Sequence, residues 1–231
     1  MMKYKAVIFD LFGTLVTNVP LQENRRMLKK MASVLSINPD AFIQLWFETA
    51  DERMKGIMKN RQENIEYICR QVGTPIEDKK IELAIQIRLD MIQSEVVPRA
   101  DSIEVLSCLK SEGYKTGLIS NCSHEGAAAW ESTPFPAFID VVVLSCLAGL
   151  QKPDPRIYQI AVEKLEVEPQ GCIYIDDIGI FCAGAASVGM YPVLIRDPNE
   201  DSADVYRGDY DAEEWHGPTI SSLSEVLELV R

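Results

Sequence analysis

Asp10 ends the short apolar run "AVIF" and is followed closely by Phe12, Gly13 and Thr14. A carboxylate just past a buried strand, with a glycine freeing the backbone behind it, is how an open α/β sheet offers a reactive group. Three later runs end in a similar way. "KTGLIS" delivers Ser120 and then Asn121, "DVVVLSC" leads into "GLQKPDP" with Lys152, and "CIYI" delivers Asp176 and Asp177. Ligands in such sheets bind beyond the carboxyl ends of the strands. Four strand ends therefore bring three acids, a hydroxyl and a lysine to one rim. Each has a plainer alternative, Asp10 as a turn cap, Ser120–Asn121 as turn formers and Lys152 as a surface lysine, but an acid ending a buried strand beside a glycine favours catalysis, and the joint placement favours a functional Lys152. Adjacent acids at 176 and 177 repel each other, however, and favour a cation between them.

The elements that must hold these groups alternate. Strand-like runs at 6–9, 115–120, 140–146, 172–175 and 191–195 are apolar throughout, as strands buried on both faces require. Helical spacing separates the later ones, over roughly 101–112, 123–131, 154–165 and 179–188, and returns in "SSLSEVLELV" at 221–230. The pattern predicts a doubly wound, Rossmann-like parallel α/β sheet. Between the first and second strands lie about a hundred residues without a strand pattern. Four amphipathic stretches fill that interval, "QENRRMLKKMASVL", "PDAFIQLWFETADERMKGIM", "RQENIEYICRQV" and "EDKKIELAIQIRLDMIQSEV". A simple crossover needs one helix, so four predict a separate helical lobe over 17–95, inserted into a core made of 1–16 and 96–231. "MLKKMASVL" and "AFIQLWF" read as core stripes of that lobe, with Trp46 and Phe47 as the alternative, an exposed dimer patch. Monomer and homodimer both stay open.

Composition narrows the class. Of 231 residues, 47% are apolar and 25% charged, ordinary for a soluble enzyme with a full core. The net charge of −12 argues against a nucleic-acid or anionic-membrane surface, while a few local cations still permit a small anionic substrate. The acid-rich stretch at 197–215 reads as a solvated loop. Six cysteines occur without a CxxC, and two histidines offer no zinc cluster, so buried, reduced cysteines in a cytoplasmic protein are expected. The N-terminal residues run straight into a strand, and no apolar run approaches membrane-spanning length.

The four motifs "FDLFGTLV", "LISN", "KPDPRIY" and "YIDD", in this order and with a helical cap after the first, resemble the haloacid dehalogenase-like hydrolases. The resemblance implies Mg²⁺-dependent phosphoryl transfer. Asp10 would be the nucleophile, forming an aspartyl-phosphate. Ser120 and Asn121 would hold the phosphoryl group, and Lys152 would neutralise charge on both nucleophile and substrate. Asp177, supported by Asp176, would hold the metal together with Asp10 and the backbone carbonyl of Phe12. Hard oxygen donors suit magnesium, and phosphoryl transfer depends mainly on positioning and charge neutralisation.

Two positions depart from the family's phosphatases. Those enzymes carry a second acid where this chain has Phe12, and it serves as general acid–base. The fourth motif often carries another acid where this chain has Phe181. Loss of acid–base catalysis is worth about 10²–10⁴-fold. An aromatic at position 12 also resembles the family's 2-haloacid dehalogenases, with which Tyr158 is compatible. Those enzymes use an early cap arginine for the substrate carboxylate, a place that Arg25 or Arg26 would fill here, but on a charged helix the two read rather as solvent-facing, and those enzymes lack the paired acids of 176–177. A third reading is a Mg²⁺- and phosphate-binding protein that turns over little. His124 reads as a helix-start residue rather than a member of the site.

Overall fold

The computed structural model describes residues 3–197 and 215–231, so most of the acid-rich stretch lies outside the described residues. The chain opens with β1 (Ala6–Phe9) and then runs through five helices: α1 (Leu21–Leu35), α2 (Pro39–Glu48), α3 (Ala50–Met54), α4 (Arg61–Gln71) and α5 (Asp78–Glu95). After α6 (Ser102–Ser111) come β2 (Lys115–Ser120), α7 (His124–Glu131), β3 (Val141–Leu144), α8 (Ser145–Ala148), α9 (Pro155–Leu165) and β4 (Cys172–Asp176). Then follow α10 (Gly179–Ser187), β5 (Tyr191–Ile195), β6 (Thr219–Ile220) and α11 (Val226–Leu229).

Among the described residues the strands form one sheet in the order β3-β2-β1-β4-β5-β6, with every pairing parallel. The two central strands are the ones that carry Asp10 and Asp176 to the rim. Alternate strand residues feed opposite faces, as a period of two demands. Val7, Phe9, Leu118, Ile173 and Ile175 pack with Leu106 and Leu109 of α6 and Val226 of α11. Ala6, Ile8, Ile119 and Tyr174 pack with Ile157, Ala161 and Leu165 of α9. Helices thus cover both faces, and the doubly wound Rossmann-like core is observed.

The helical cap is inserted between β1 and β2 and has an apolar cluster of its own, built on Leu28, Met31, Phe42, Trp46, Ile65 and Ile68. "NPD" starts α2 as its residue types require: Asn38 caps the backbone N–H groups of Asp40 and Ala41, and Pro39 occupies the first turn. Trp46 is buried and Phe47 half-buried, so the core-stripe reading holds and the exposed-patch alternative does not.

Three expectations are corrected in detail. The second cap stretch breaks into α2 and α3 at Thr49, whose hydroxyl bonds back to the Leu45 carbonyl at 2.7 Å instead of leaving the turn regular. The run 140–146 stops being a strand after Leu144 and turns into α8. The closing helix is a 3₁₀ turn at Leu223–Glu225 followed by the short α11.

Cap and core also meet backbone to backbone. Gly56, after α3, has φ +64°, and a Cβ there would collide with the Cys146 carbonyl of α8. Beside it Gln151 donates to Asp51 at 3.2 Å. No helix among the described residues is long and apolar enough to cross a membrane.

Candidate active site

β1 ends one residue before Asp10, whose N–H donates to the Ile175 carbonyl at 2.9 Å, stitching it to the neighbouring strand. The carboxylate is buried, at 6% exposure. Lys152 reaches it from the loop after α8. Its Nζ donates to Asp10 Oδ1 at 2.6 Å and to Asp176 Oδ2 at 2.7 Å. A lysine is rarely this buried unless paired, and here one ammonium bridges two carboxylates. Asn121 fixes the loop that carries it: the Asn121 amide donates to the Lys152 carbonyl at 3.0 Å, and its Oδ1 accepts from the Lys152 N–H at 2.8 Å. "KPDP" then starts α9, with Asp154 capping the Arg156 N–H and Pro155 in the first turn.

Asp176 is held by three hydrogen bonds. Besides Lys152, it accepts from Tyr174 Oη at 2.5 Å and from the Ile178 N–H at 2.9 Å. Asp177 lies on the cavity side, accepting from Asn18 Nδ2 at 3.2 Å, while Arg196 donates to its backbone carbonyl. Gly13 explains the glycine in the first motif. It has φ +84°, and a Cβ there would strike the Asp177 carboxylate. Arg99 secures that turn by donating to the Gly13 carbonyl at 2.7 Å.

One carboxylate oxygen from each of Asp10, Asp176 and Asp177 lies within 4.8 Å of the others. Three buried acids face one buried lysine, and the imbalance shows in their protonation. Burial pushes the Asp10 carboxyl up to about 8; Lys152 opposes this, while Asp176 and Asp177 add to it. Burial disfavours the charge on Lys152, but Asp10 and Asp176 outweigh it and hold the ammonium above its usual range. A hard divalent cation fits this donor set, because it would supply the missing positive charge to oxygen ligands.

Ser120 ends β2 at 1% exposure, and its Oγ makes no hydrogen bond among the described residues. A buried hydroxyl without a partner is costly unless a ligand supplies one. It lies beside Asn121, Cys122 and Ser123 in the turn leading to the N-terminus of α7, where N–H groups favour an anion.

These groups line a cavity of about 470 Å³. Phe12 lines it too, half-buried, with its ring toward Gly126 of α7. Phe181 lines it with its ring centroid 4.8 Å from Lys152 Nζ, a cation–π contact in place of a carboxylate. Tyr158 lies beneath the site instead of in it, edge-on to Tyr174 with centroids 5.3 Å apart, its hydroxyl donating to the Phe181 carbonyl at 2.8 Å. His124 does not line the cavity.

The two arginines of α1 face solvent, as their place on a charged helix suggests. Arg25 and Arg26 are exposed on α1, Arg26 pairing with Glu23 at 3.1 Å, and neither reaches the cavity. Arg53 of α3 and Arg88 of α5 line it instead. Asn18, Trp46, Tyr174 and Arg99 also escaped the sequence reading. Periodicity identifies a helix face but does not say which of several arginines turns toward a neighbouring lobe.

A family profile described as haloacid dehalogenase-like hydrolase matches residues 4–189. Among curated proteins, the glyceraldehyde 3-phosphate phosphatase of Methanopyrus kandleri is 27% identical over 98% of this chain and 97% of its own length. The (S)-2-haloacid dehalogenase 4A of Burkholderia cepacia is 28% identical over 83% of both. Two longer relatives, acyl-CoA dehydrogenase family member 10 of Mus musculus and bifunctional epoxide hydrolase 2 of Sus scrofa, are matched over only 12% and 37% of their lengths. Among solved structures, a HAD family enzyme of Bacteroides thetaiotaomicron in complex with magnesium and inorganic phosphate superposes with a TM-score of 0.65. It is 22% identical, over 87% of this chain and 97% of its own. With the profile spanning most of the sequence and the four motif ends meeting around one cavity, the chain belongs to the haloacid dehalogenase-like hydrolase family.

Proposed function

We propose that this hydrolase is a Mg²⁺-dependent phosphatase of small phosphorylated metabolites, acting through an aspartyl-phosphate on Asp10. The observation that carries the reading is the charge imbalance of the floor, three buried carboxylates around one buried ammonium. The unpartnered Ser120 hydroxyl beside it supports an anionic group in the cavity.

Asp10, Asp177, Asp176 and the Phe12 carbonyl would hold the ion. When bound, it supplies positive charge that keeps Asp10 ionised and offsets the charge of the phosphoryl oxygens. Asp10 attacks phosphorus with the oxygen that Lys152 leaves free. Ser120 Oγ and Asn121, with N–H groups of the turn before α7, hold the phosphoryl oxygens. Lys152, fixed by Asn121 and Asp176, offsets the charge that builds as the ester oxygen departs. Residues 17–95 act as the cap that closes over the substrate and limits water.

Phe12 has no proton to give the leaving group and cannot activate the water that hydrolyses the intermediate. Good leaving groups depart regardless, but the second step lacks a base, and Phe181 supplies none. The reading therefore predicts a fast first step and a slow second one. The test is a rapid-mix time course of nitrophenol release from para-nitrophenyl phosphate, with Mg²⁺ and with EDTA. A Mg²⁺-dependent burst of about one equivalent, followed by slow turnover, is the expected outcome. Steady release without a burst removes the assigned defect from the second step, and no release removes the phosphatase reading.

A second reading, hydrolysis of a 2-haloacid with Asp10 displacing halide, is favoured by the aromatic at position 12 and by the similarity to the Burkholderia dehalogenase. The buried pair Asp176–Asp177 weighs against it, since the pair repels an anionic substrate unless a metal is bound, and halide displacement needs no metal. Chloride release from 2-chloropropionate, absent in the phosphatase reading, separates the two.

A further inference from the structure

Two thiols meet beside the turn between β2 and α7. β2 and β3 run parallel with Ser120 opposite Leu144, so Cys122 and Cys146, each two residues further on, leave the sheet as neighbours. Paired strands lie about 4.8 Å apart, a backbone separation that a disulfide spans. Ser145 then ties the two segments together: its Oγ accepts from the Cys122 N–H at 2.9 Å and donates to the Cys122 carbonyl at 3.2 Å. Both cysteines are free and buried in one apolar cluster. Contact with Cys122 holds the Cys146 thiol below the ordinary thiol range, against burial and the charge of Glu125. The same contact, with burial, pushes Cys122 well above it. Cys108, Cys172 and Cys182 turn their thiols elsewhere, to Glu112, to the Glu168 carbonyl and to the Asp176 and Val193 carbonyls.

Each end of the pair touches something that matters to the site. Cys122 lines the cavity and directly follows Ser120 and Asn121, and Asn121 is the residue that fixes the Lys152 loop. Cys146 lies on α8, where its carbonyl packs against Gly56 of the cap. A sulfur–sulfur bond of about 2.05 Å is shorter than a contact between two thiols, so closing it draws the Cys122 turn and α8 together.

We propose that Cys122 and Cys146 form a reversible disulfide on exposure to a hydroperoxide, and that closing it weakens anion binding by the turn at 120–123. The second half rests on the phosphoryl-binding reading of the floor; the bond itself does not. The Cys146 thiolate attacks one peroxide oxygen and the O–O bond breaks, leaving a sulfenic acid and a hydroxide that takes up the Cys146 proton as water. The Cys122 sulfur then attacks the sulfenic sulfur, the S–O bond breaks, and the Cys122 proton leaves with the hydroxyl as a second water. The thiols lose two electrons and the peroxide gains them. A dithiol reductant reverses the bond by exchange.

The test exposes the full chain, first reduced, to hydrogen peroxide, then alkylates it under denaturing conditions and maps the peptides by mass. The expected map has Cys122 cross-linked to Cys146, the other four cysteines alkylated, and the cross-link lost after dithiothreitol. Calorimetric titration of the Mg²⁺-loaded protein with phenylphosphonate reads the turn. The oxidised form is expected to bind about tenfold or more weakly, as loss of a charge-assisted hydrogen bond implies. Cys146→Ala should bind the probe as the reduced parent does and show no response to peroxide; the peptide map of the parent decides the bond however that variant folds. Free thiols at 122 and 146 after treatment, sulfinic acids in place of a cross-link, or a cross-link that leaves affinity unchanged overturns the proposal. If the reduced protein binds no phosphonate, the phosphoryl-binding reading falls and the switch with it, while the map still reports the bond.

Discussion

The floor and the roof of the cavity solve the same problem, holding buried charge, by different means. On the floor, opposite charges meet: Lys152 lies between Asp10 and Asp176 at 2.6 and 2.7 Å, the two acids fixed at strand ends and the lysine in a loop tied down by Asn121. On the roof, the Arg53 and Arg88 guanidiniums lie against the Trp46 ring, Arg53 also donating to Thr49 and Arg88 to Asn24, on helices far apart in sequence, and Glu125 adds a favourable charge beside Arg88. The floor rests on direct ion pairs, whereas the roof also uses a ring face and neutral hydrogen-bond partners.

Substitutions can test that contrast, and the largest effect is expected at the nucleophile. Asp10→Asn should lower nitrophenol release by about 10⁴-fold or more while the fold, followed by circular dichroism, is retained. An unchanged rate would take the floor out of the chemistry. Phe12→Asp restores a carboxyl within the cavity and should raise steady-state turnover of alkyl phosphates by about 10²-fold. No gain in a folded variant would mean that another group already moves the proton.

Lys152→Met tests the floor as structure. It leaves buried carboxylates without their cation and is expected to cost about 3–5 kcal/mol in denaturant unfolding of the metal-free protein. A smaller loss would mean that water already enters the site.

On the proposed reading a metal and the proton compete for Asp10. Its folded carboxyl titrates near 8, above the ordinary 3.8, so the unfolded chain releases that proton at lower pH than the folded one. Asp10 therefore lowers the stability of the metal-free fold progressively as pH rises from about 4 to about 8. Mg²⁺ should raise the melting temperature more at the upper end of that window than at the lower end. Equal increments at both would exclude Asp10 as a ligand. The smallest effect belongs to α1: Arg25→Gln and Arg26→Gln should leave kcat/KM and stability within about 0.5 kcal/mol of the parent. A larger loss of kcat/KM would place α1 at the substrate.

The same floor-and-roof contrast explains what the sequence makes legible. β1, β2 and β5 have the bounds read from their apolar runs, because a strand buried on both faces leaves an unbroken signal. Asp10, Ser120, Asp176 and Asp177 end such runs or directly follow them, so finding the strand finds the residue, while Lys152 comes after the intervening α8 and is marked instead by its motif "KPDP". β6 is two residues long and carries no pattern to read. "DVVVLSC" gives no warning that Ser145 begins a helix, since its hydroxyl is spent on a tertiary contact, accepting from the Cys122 N–H at 2.9 Å. Roof residues come from α2, α3 and α5, and only tertiary packing decides that Arg53 and Arg88 turn inward while Arg25 and Arg26 do not. Tyr174 was hidden differently: inside an apolar strand it reads as core, and its hydroxyl is what reaches Asp176.

Gly56 gives this architecture a fixed edge. Because the cap backbone rests there against the Cys146 carbonyl, any side chain at position 56 would act as a wedge between the two lobes. Alanine would add little bulk, yet its methyl group would stand where the carbonyl now lies. A lineage that acquired it would have to admit solvent along that seam or rebuild α8. The smallest residue type thus sets how closely the two lobes approach, and its replacement would be felt first along that seam.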